Sequence, residues 1–170
     1  ANALFSDGAA ALLVEAETSA ALRLRPESFC SELAIAGESD MAWAIGNQGF
    51  EMKLSSYVPS IIKNGIAKLT TKLLNKISKE LADVHYFAIH PGGRKILESI
   101  EIELGINKQD NKSAYHVLKN YGNMSSPTIL FVIDEIMSRL VPHDQGERIL
   151  SFAFGPGLTL ESMILKIEIE

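Results

Sequence analysis

The sequence predicts an α/β fold in which a layered, mixed β-sheet is covered by helices. Three observations carry that prediction. Short apolar runs alternate with stretches of helical periodicity through the middle of the chain. The C-terminal stretch holds two strand-like segments joined by Gly155-Pro156-Gly157. The composition, 46% hydrophobic and 22% charged over 170 residues, suits a chain that buries a core of its own. Residues 1–170 are read as a single domain.

Taken in order, residues 9–16 form an apolar run after an Asp7-Gly8 turn and read as a buried strand. Asp7 is expected to bond nearby backbone N–H groups, and Gly8 to supply a conformation other residues resist. Residues 23–36 and 49–54 read as further strands, with an unreadable stretch between them around Gly37, Gly46 and Gly49. From Pro59 to Leu81, Ile62, Ile66, Leu69, Leu73 and Ile77 recur at helical spacing, and a break is expected near Asn75. Lys63, Lys68, Lys72, Lys76 and Lys79 fall mainly on the other faces of that helix. Residues 84–89 are a short strand ending at His90. After Pro91-Gly92-Gly93 a helix buries Ile96, Leu97, Ile100 and Leu104 and stops at Gly105. Residues 113–120 read as a short helix. Ser126 and Pro127 are the N-cap and first turn of another, carrying Ile129, Leu130, Ile133, Ile136, Met137 and Leu140. Strands over 149–154 and 159–169 complete the sheet.

No apolar run reaches membrane-spanning length, and nothing at the start reads as a signal peptide, so a cytoplasmic setting is expected. A formal net charge of −5 argues against a nucleic-acid partner. The lone cysteine, Cys30, excludes an internal disulfide and reads as a buried thiol in or near a strand rather than a nucleophile. With no paired CxxC, no His-Glu-x-x-His and no acidic calcium loop, a metal site is not expected.

Two segments carry the chemistry. Ile-His-Pro-Gly-Gly at 89–93 and Tyr-Gly-Asn-Met-Ser-Ser at 121–126 each set one side-chain donor, His90 or Asn123, at a chain reversal that leads into a helix. A carbonyl that must become an oxyanion or enolate needs such fixed donors; neutral imidazole offers one N–H and a carboxamide two. His90 ends a buried strand, where ligands of open α/β sheets bind. Gly92 and Gly93 let backbone approach a substrate, and the following helix presents free N–H groups. Judged alone, His90 is equally readable as a satisfied core histidine and Asn123 as a turn residue. His85, His116 and His143 have no comparable surroundings and read as surface or structural.

These two segments resemble the His and Asn motifs of the chalcone synthase-like (type III) polyketide synthases, which belong to the thiolase-like condensing enzymes. Residues 154–159 resemble the family's Gly-Phe-Gly-Pro-Gly-Leu-Thr turn, with Ala153 replacing the first Gly, and residues 4–11 resemble its Leu-Phe-Gly-Asp-Gly-Ala-Ala-Ala segment. The four motifs keep the family's order and span nearly the whole chain. The resemblance implies a thiolase-like fold and decarboxylative condensation of malonyl-CoA onto an acyl-CoA starter. It implies coenzyme A thioesters as substrates, no further cofactor, and a homodimer. The family's nucleophilic cysteine lies upstream of the Asp-Gly-Ala segment. The chain is therefore expected to be the C-terminal half, with its own N-terminal half as partner, and to be inactive and to expose apolar surface without it.

On that resemblance His90 and Asn123 are the catalytic residues: the His90 imidazolium stabilises the cysteine thiolate, and both donors hold the malonyl thioester carbonyl and its enolate. Phe5 matches one gatekeeping phenylalanine between coenzyme A tunnel and cavity, and Met52, counted back from Pro59, falls at the second. By the same count Trp43 falls where chalcone synthases carry a small cavity-lining Gly, which reshapes the cavity and turns expectation away from chalcone; a Trp packed in the core is the alternative. Gly92 and Gly93 would lie against the pantetheine arm, and Ser125 and Pro156 would shape the cavity. Lys95 and the lysines of the long helix read as solvated, with coenzyme A phosphate contacts as the alternative. Two rivals remain. The ketoacyl carrier-protein synthase III group carries His-Gln-Ala-Asn and Gly-Asn-Thr-Ser motifs, neither present here. A half-domain that only dimerises or scaffolds would need neither donor.

Overall fold

The computed structural model describes residues 4–170, and in them a four-stranded sheet forms the centre. Its strands are β1 (Leu22–Leu33), β4 (Tyr86–Ile89), β5 (Arg148–Gly155) and β6 (Thr159–Ile169), in the order β1-β6-β5-β4. β6 is antiparallel to both β1 and β5, and β4 is parallel to β5, so the sheet is mixed. Parallel neighbours need a crossover rather than a tight turn. Here the chain from β4 to β5 passes through α2 (Arg94–Leu104), α3 (Lys112–Tyr121) and α4 (Pro127–Met137). α1 (Val58–Asn75) packs on β1, β6 and α2, while α3 and α4 pack on β4 and on each other. Successive strand residues point to opposite faces. Ile149 and Leu150 are both buried, as are Ile164 and Leu165, so both faces of the central strands are covered.

The helices follow their apolar periods. α1 buries Ile62, Ile66, Leu69 and Leu73 and ends at Asn75, where the break was expected, leaving Ile77 beyond its end. Two lysines of this stretch reach β1: Lys72 pairs with Glu32, and Lys76, just past the helix end, donates to the Phe29 carbonyl at 2.5 Å. α2 buries Ile96, Leu97, Ile100 and Leu104 and stops at Gly105, whose φ of 66° is left-handed. Glu101 of α2 is buried and accepts from Asn111 Nδ2 at 3.0 Å and from the Tyr115 hydroxyl at 3.2 Å. That cluster joins α2 to α3, the helices that begin after His90 and end before Asn123.

Several expectations are corrected. Residues 9–16 form no strand, and Leu12, Leu13 and Val14 are exposed. An apolar run becomes a strand only when a sheet edge accepts it, and among the described residues none does. Asp7 makes no backbone hydrogen bond among the described residues, and Gly8 has no left-handed backbone; a Cβ there would meet the Met124 side chain. Ser126 does not cap α4 with its side chain, because its own backbone is already helical. Thr128, on the first turn, instead ties the helix back to the loop before it, its Oγ1 accepting the Met124 N–H at 2.8 Å. Cys30 lies in β1 as expected and is free, but half-buried rather than buried.

The unreadable stretch is a hairpin of β2 (Met41–Gly46) and β3 (Gly49–Leu54), paired only with each other. Its register sets Met41 opposite Leu54, Trp43 opposite Met52 and Ile45 opposite Phe50, which places six apolar side chains on one face. Trp43 is 57% exposed and meets Phe50 edge to face at 6.4 Å, so the core alternative for Trp43 is overturned. The hairpin's base is tied down where Gly157 N–H donates to the Met41 carbonyl at 3.1 Å. No helix of the described residues is long and apolar enough to cross a membrane.

Candidate active site

β4 delivers His90. The His90 N–H donates to the Phe152 carbonyl of β5 at 2.8 Å, which carries the parallel pairing one residue past the strand end. The imidazole is 8% exposed and, among the described residues, makes no side-chain hydrogen bond. Burial pushes it down to about 4, so at pH 7 it is neutral and keeps one N–H to give. An imidazolium beside a thiolate is therefore not the form this chain favours by itself; only an opposite charge brought against the ring would restore it. The chain turns at Pro91, where Gly92 N–H donates to the His90 carbonyl at 2.9 Å, and α2 starts after Gly93.

Asn123 reaches the same turn from α3. Its Nδ2 lies 3.4 Å from the Gly92 carbonyl, while the His90 Nε2 lies 3.9 Å from where a Gly92 Cβ would stand. The two donors, 33 residues apart in sequence by their numbers, thus border one glycine. Asn123 is 4% exposed. Its Oδ1 accepts the Ser125 N–H at 2.9 Å, which fixes the amide with its Nδ2 end toward the Gly92 turn. Ser125 achieves this with a φ of 63°, a left-handed backbone that non-glycine residues hold at a cost of about 1–2 kcal/mol.

The N-terminal segment closes the other side. Asn123 N–H donates to the Leu4 carbonyl and Ser6 N–H to the Asn123 carbonyl, both at 2.9 Å, so Phe5 pairs with Asn123 as an isolated parallel bridge. Gly122 permits the approach. Its φ of 75° with ψ of −161° belongs to glycine, and a Cβ there would meet Ser6 Oγ at 2.8 Å. Ser6 Oγ in turn donates to the Tyr121 carbonyl.

His90, Gly92, Asn123, Ser125 and Phe5 are therefore gathered, and Leu4 packs against the Gly93 position. Pro156 and Met52 are not part of that cluster. Pro156 is exposed in the β5–β6 turn, at the sheet end that His90 also occupies because β4 and β5 run parallel. Met52 sits on β3, with its register partner Trp43 on the same apolar face. Lys95 is exposed on the first turn of α2. His85 pairs with Glu147, His116 lies 3.8 Å from Glu135, and His143 lies in a short helical turn. Among the described residues no three His, Cys, Asp or Glu side chains converge as a metal site. Sequence reasoning missed Thr128 and Ser6 as anchors; the Thr two residues past Ser126 was a readable local signal, and the long-range contact of Ser6 was not.

The layered mixed sheet is the thiolase-like fold. Residues 28–168 match the family described as chalcone and stilbene synthases, C-terminal domain, and the chain belongs to that family. The alpha-pyrone synthesis polyketide synthase-like Pks18 of Mycobacterium tuberculosis is 32% identical over 171 residues, covering 98% of this chain and 43% of Pks18. The chain thus spans under half the length of the curated relatives it matches. Among solved structures, the C-terminal type III polyketide synthase domain of Steely1, a type I/III hybrid from Dictyostelium, superposes with a TM-score of 0.73 at 33% identity, over 81% of this chain and 39% of that one. PKS-I of the brown alga Ectocarpus siliculosus gives 0.74 at 30% identity, over 81% and 38%. A fungal type III polyketide synthase, ORAS, gives 0.75 at 27%, over 88% and 42%. The chain is the C-terminal domain of a type III polyketide synthase, and the ketoacyl carrier-protein synthase reading is not favoured.

Proposed function

We propose that this chain supplies the oxyanion-holding half of a polyketide-extending acyltransferase, which condenses malonyl-CoA with an acyl-CoA starter. The observation that supports it is the meeting of a buried neutral imidazole and an oriented carboxamide at Gly92. The malonyl thioester oxygen accepts from the His90 ring and from Asn123 Nδ2. The bond from the carboxylate to the α-carbon breaks and carbon dioxide leaves. Its electron pair passes into an enolate, whose oxygen the two donors stabilise. The α-carbon then attacks an acyl thioester on a cysteine outside this chain, and the thiolate is expelled. The condensation is redox-neutral, so the scheme calls for no oxidant or reductant and takes the thioesters as its substrates. Phe5, whose main chain pairs with that of Asn123, is the apolar side chain assigned to the decarboxylating group.

The test uses the full-length protein. Asn123→Ala and His90→Gln should each lower malonyl-CoA decarboxylation by about two to three orders of magnitude, the usual cost of one oxyanion donor. Wild-type rates in both variants would refute the reading. The chain alone, lacking the acyl-carrying cysteine, should show no condensation; product formed by it would equally refute that assignment.

A further inference from the structure

The Asn123 amide is only as useful as its placement, and five hydrogen bonds set that placement. Asn123 N–H to the Leu4 carbonyl and Ser6 N–H to the Asn123 carbonyl hold its backbone on one side. Ser125 N–H to Oδ1, and Nδ2 to the Gly92 carbonyl, set its side chain. The fifth holds the peptide that follows: Met124 N–H donates to Thr128 Oγ1 at 2.8 Å. The peptide linking Asn123 to Met124 is therefore gripped at its oxygen by Ser6 and at its N–H by Thr128. In four of the five, Asn123 is held by main chain; only Thr128 contributes a side chain of its own.

Thr128 is 0% exposed and Met124 is buried, so water does not replace the bond when it is lost. A β-branched side chain on the first turn of a helix has few rotamers, which suits it to hold one direction. Ser126, the residue placed to cap the helix in the ordinary way, makes no side-chain cap bond, so Thr128 alone ties the start of α4 back to the donor loop with a side chain.

We infer that Thr128 is a positioning residue for the condensing reaction, which acts by locking the Asn123–Met124 peptide and so aiming the Asn123 amide at the oxyanion. The inference rests on the function proposed above. Thr128→Val keeps the shape and removes the acceptor, leaving the Met124 N–H buried without a partner. A donor displaced by a fraction of an ångström to an ångström loses about ten- to hundredfold in rate. In the full-length protein, Thr128→Val should lower the kcat of malonyl-CoA decarboxylation by about that factor with KM little changed, and Thr128→Ser should restore most of it. On an Asn123→Ala background the same Thr128→Val change should cost nothing further, because the group it aims is gone.

Undiminished kcat in Thr128→Val overturns the inference, as does an equal loss on the Asn123→Ala background, which would mark a merely structural role. If Thr128→Val does not fold, amide hydrogen exchange on the unsubstituted protein decides: the Met124 amide should exchange slowly, and exchange at the rate of an exposed loop overturns the inference. An inactive Asn123→Ala beside a fully active Thr128→Val removes the positioning role alone. A fully active Asn123→Ala removes the donor role as well.

Discussion

Replacing His90 by Gln isolates the cost of keeping an imidazole neutral inside the fold. Burial holds His90 at about 4, against an ordinary value of 6.5. Between those two values the unfolded chain binds a proton that the folded chain refuses, so acid favours unfolding there. The stability tied to neutral His90 is fully present above about pH 6.5. It is lost as the pH falls, and the loss levels off below about 4. The whole gap corresponds to roughly 3 kcal/mol, of which about 2 kcal/mol is spent between pH 7 and pH 4.5. Urea unfolding of wild type and His90→Gln at pH 7, 6, 5 and 4.5 measures it. Carboxylates titrating in the same range contribute equally to both proteins and cancel in the difference. The wild type should lose about 2 kcal/mol more than the variant over that interval. Parallel pH profiles would show that the ring is protonated freely and is not the desolvated donor the site requires.

Three further outcomes follow from the packing. Gly122→Ala places a Cβ at 2.8 Å from Ser6 Oγ on a backbone that only glycine holds easily, and should cost at least ~2 kcal/mol in urea unfolding; an unchanged midpoint contradicts the close approach of residues 4–6. Glu101→Leu strips both partners from the buried cluster between α2 and α3 and leaves the fully buried Asn111 amide unpaired, so a loss of about 2–4 kcal/mol is expected by the same measurement. Trp43, the only tryptophan, should emit as a solvated indole and be quenched by iodide, and Trp43→Ala should shift stability by no more than about 0.5 kcal/mol; a blue, shielded emission would place the hairpin face against the core.

Legibility in the sequence tracked how local the cause was. α2 was readable end to end because Ile96, Leu97, Ile100 and Leu104 repeat with the helix and Gly105 stops it. α1 was readable for the same reason, down to its end at Asn75. β2 was not, because alanines alternate with Met41, Trp43 and Ile45 and blur the difference between its two faces. Residues 9–16 show the opposite error: apolar character marks what a segment would bury, and pairing depends on an edge elsewhere in space. At the site, His90 and Asn123 were identifiable from motif and resemblance. Their meeting at Gly92 joins segments about thirty residues apart, and the grip of Leu4 and Ser6 on Asn123 joins segments more than a hundred apart; no local pattern encodes either.

The β2–β3 ribbon has a consequence for how such a chain diversifies. Its internal ladder is self-contained, and its base is moored at Gly157 beside the sheet end that bears the imidazole. Its apolar face can thus be rewritten like a cassette while the four-stranded ladder keeps every one of its pairings, since none of those strands pairs with the ribbon.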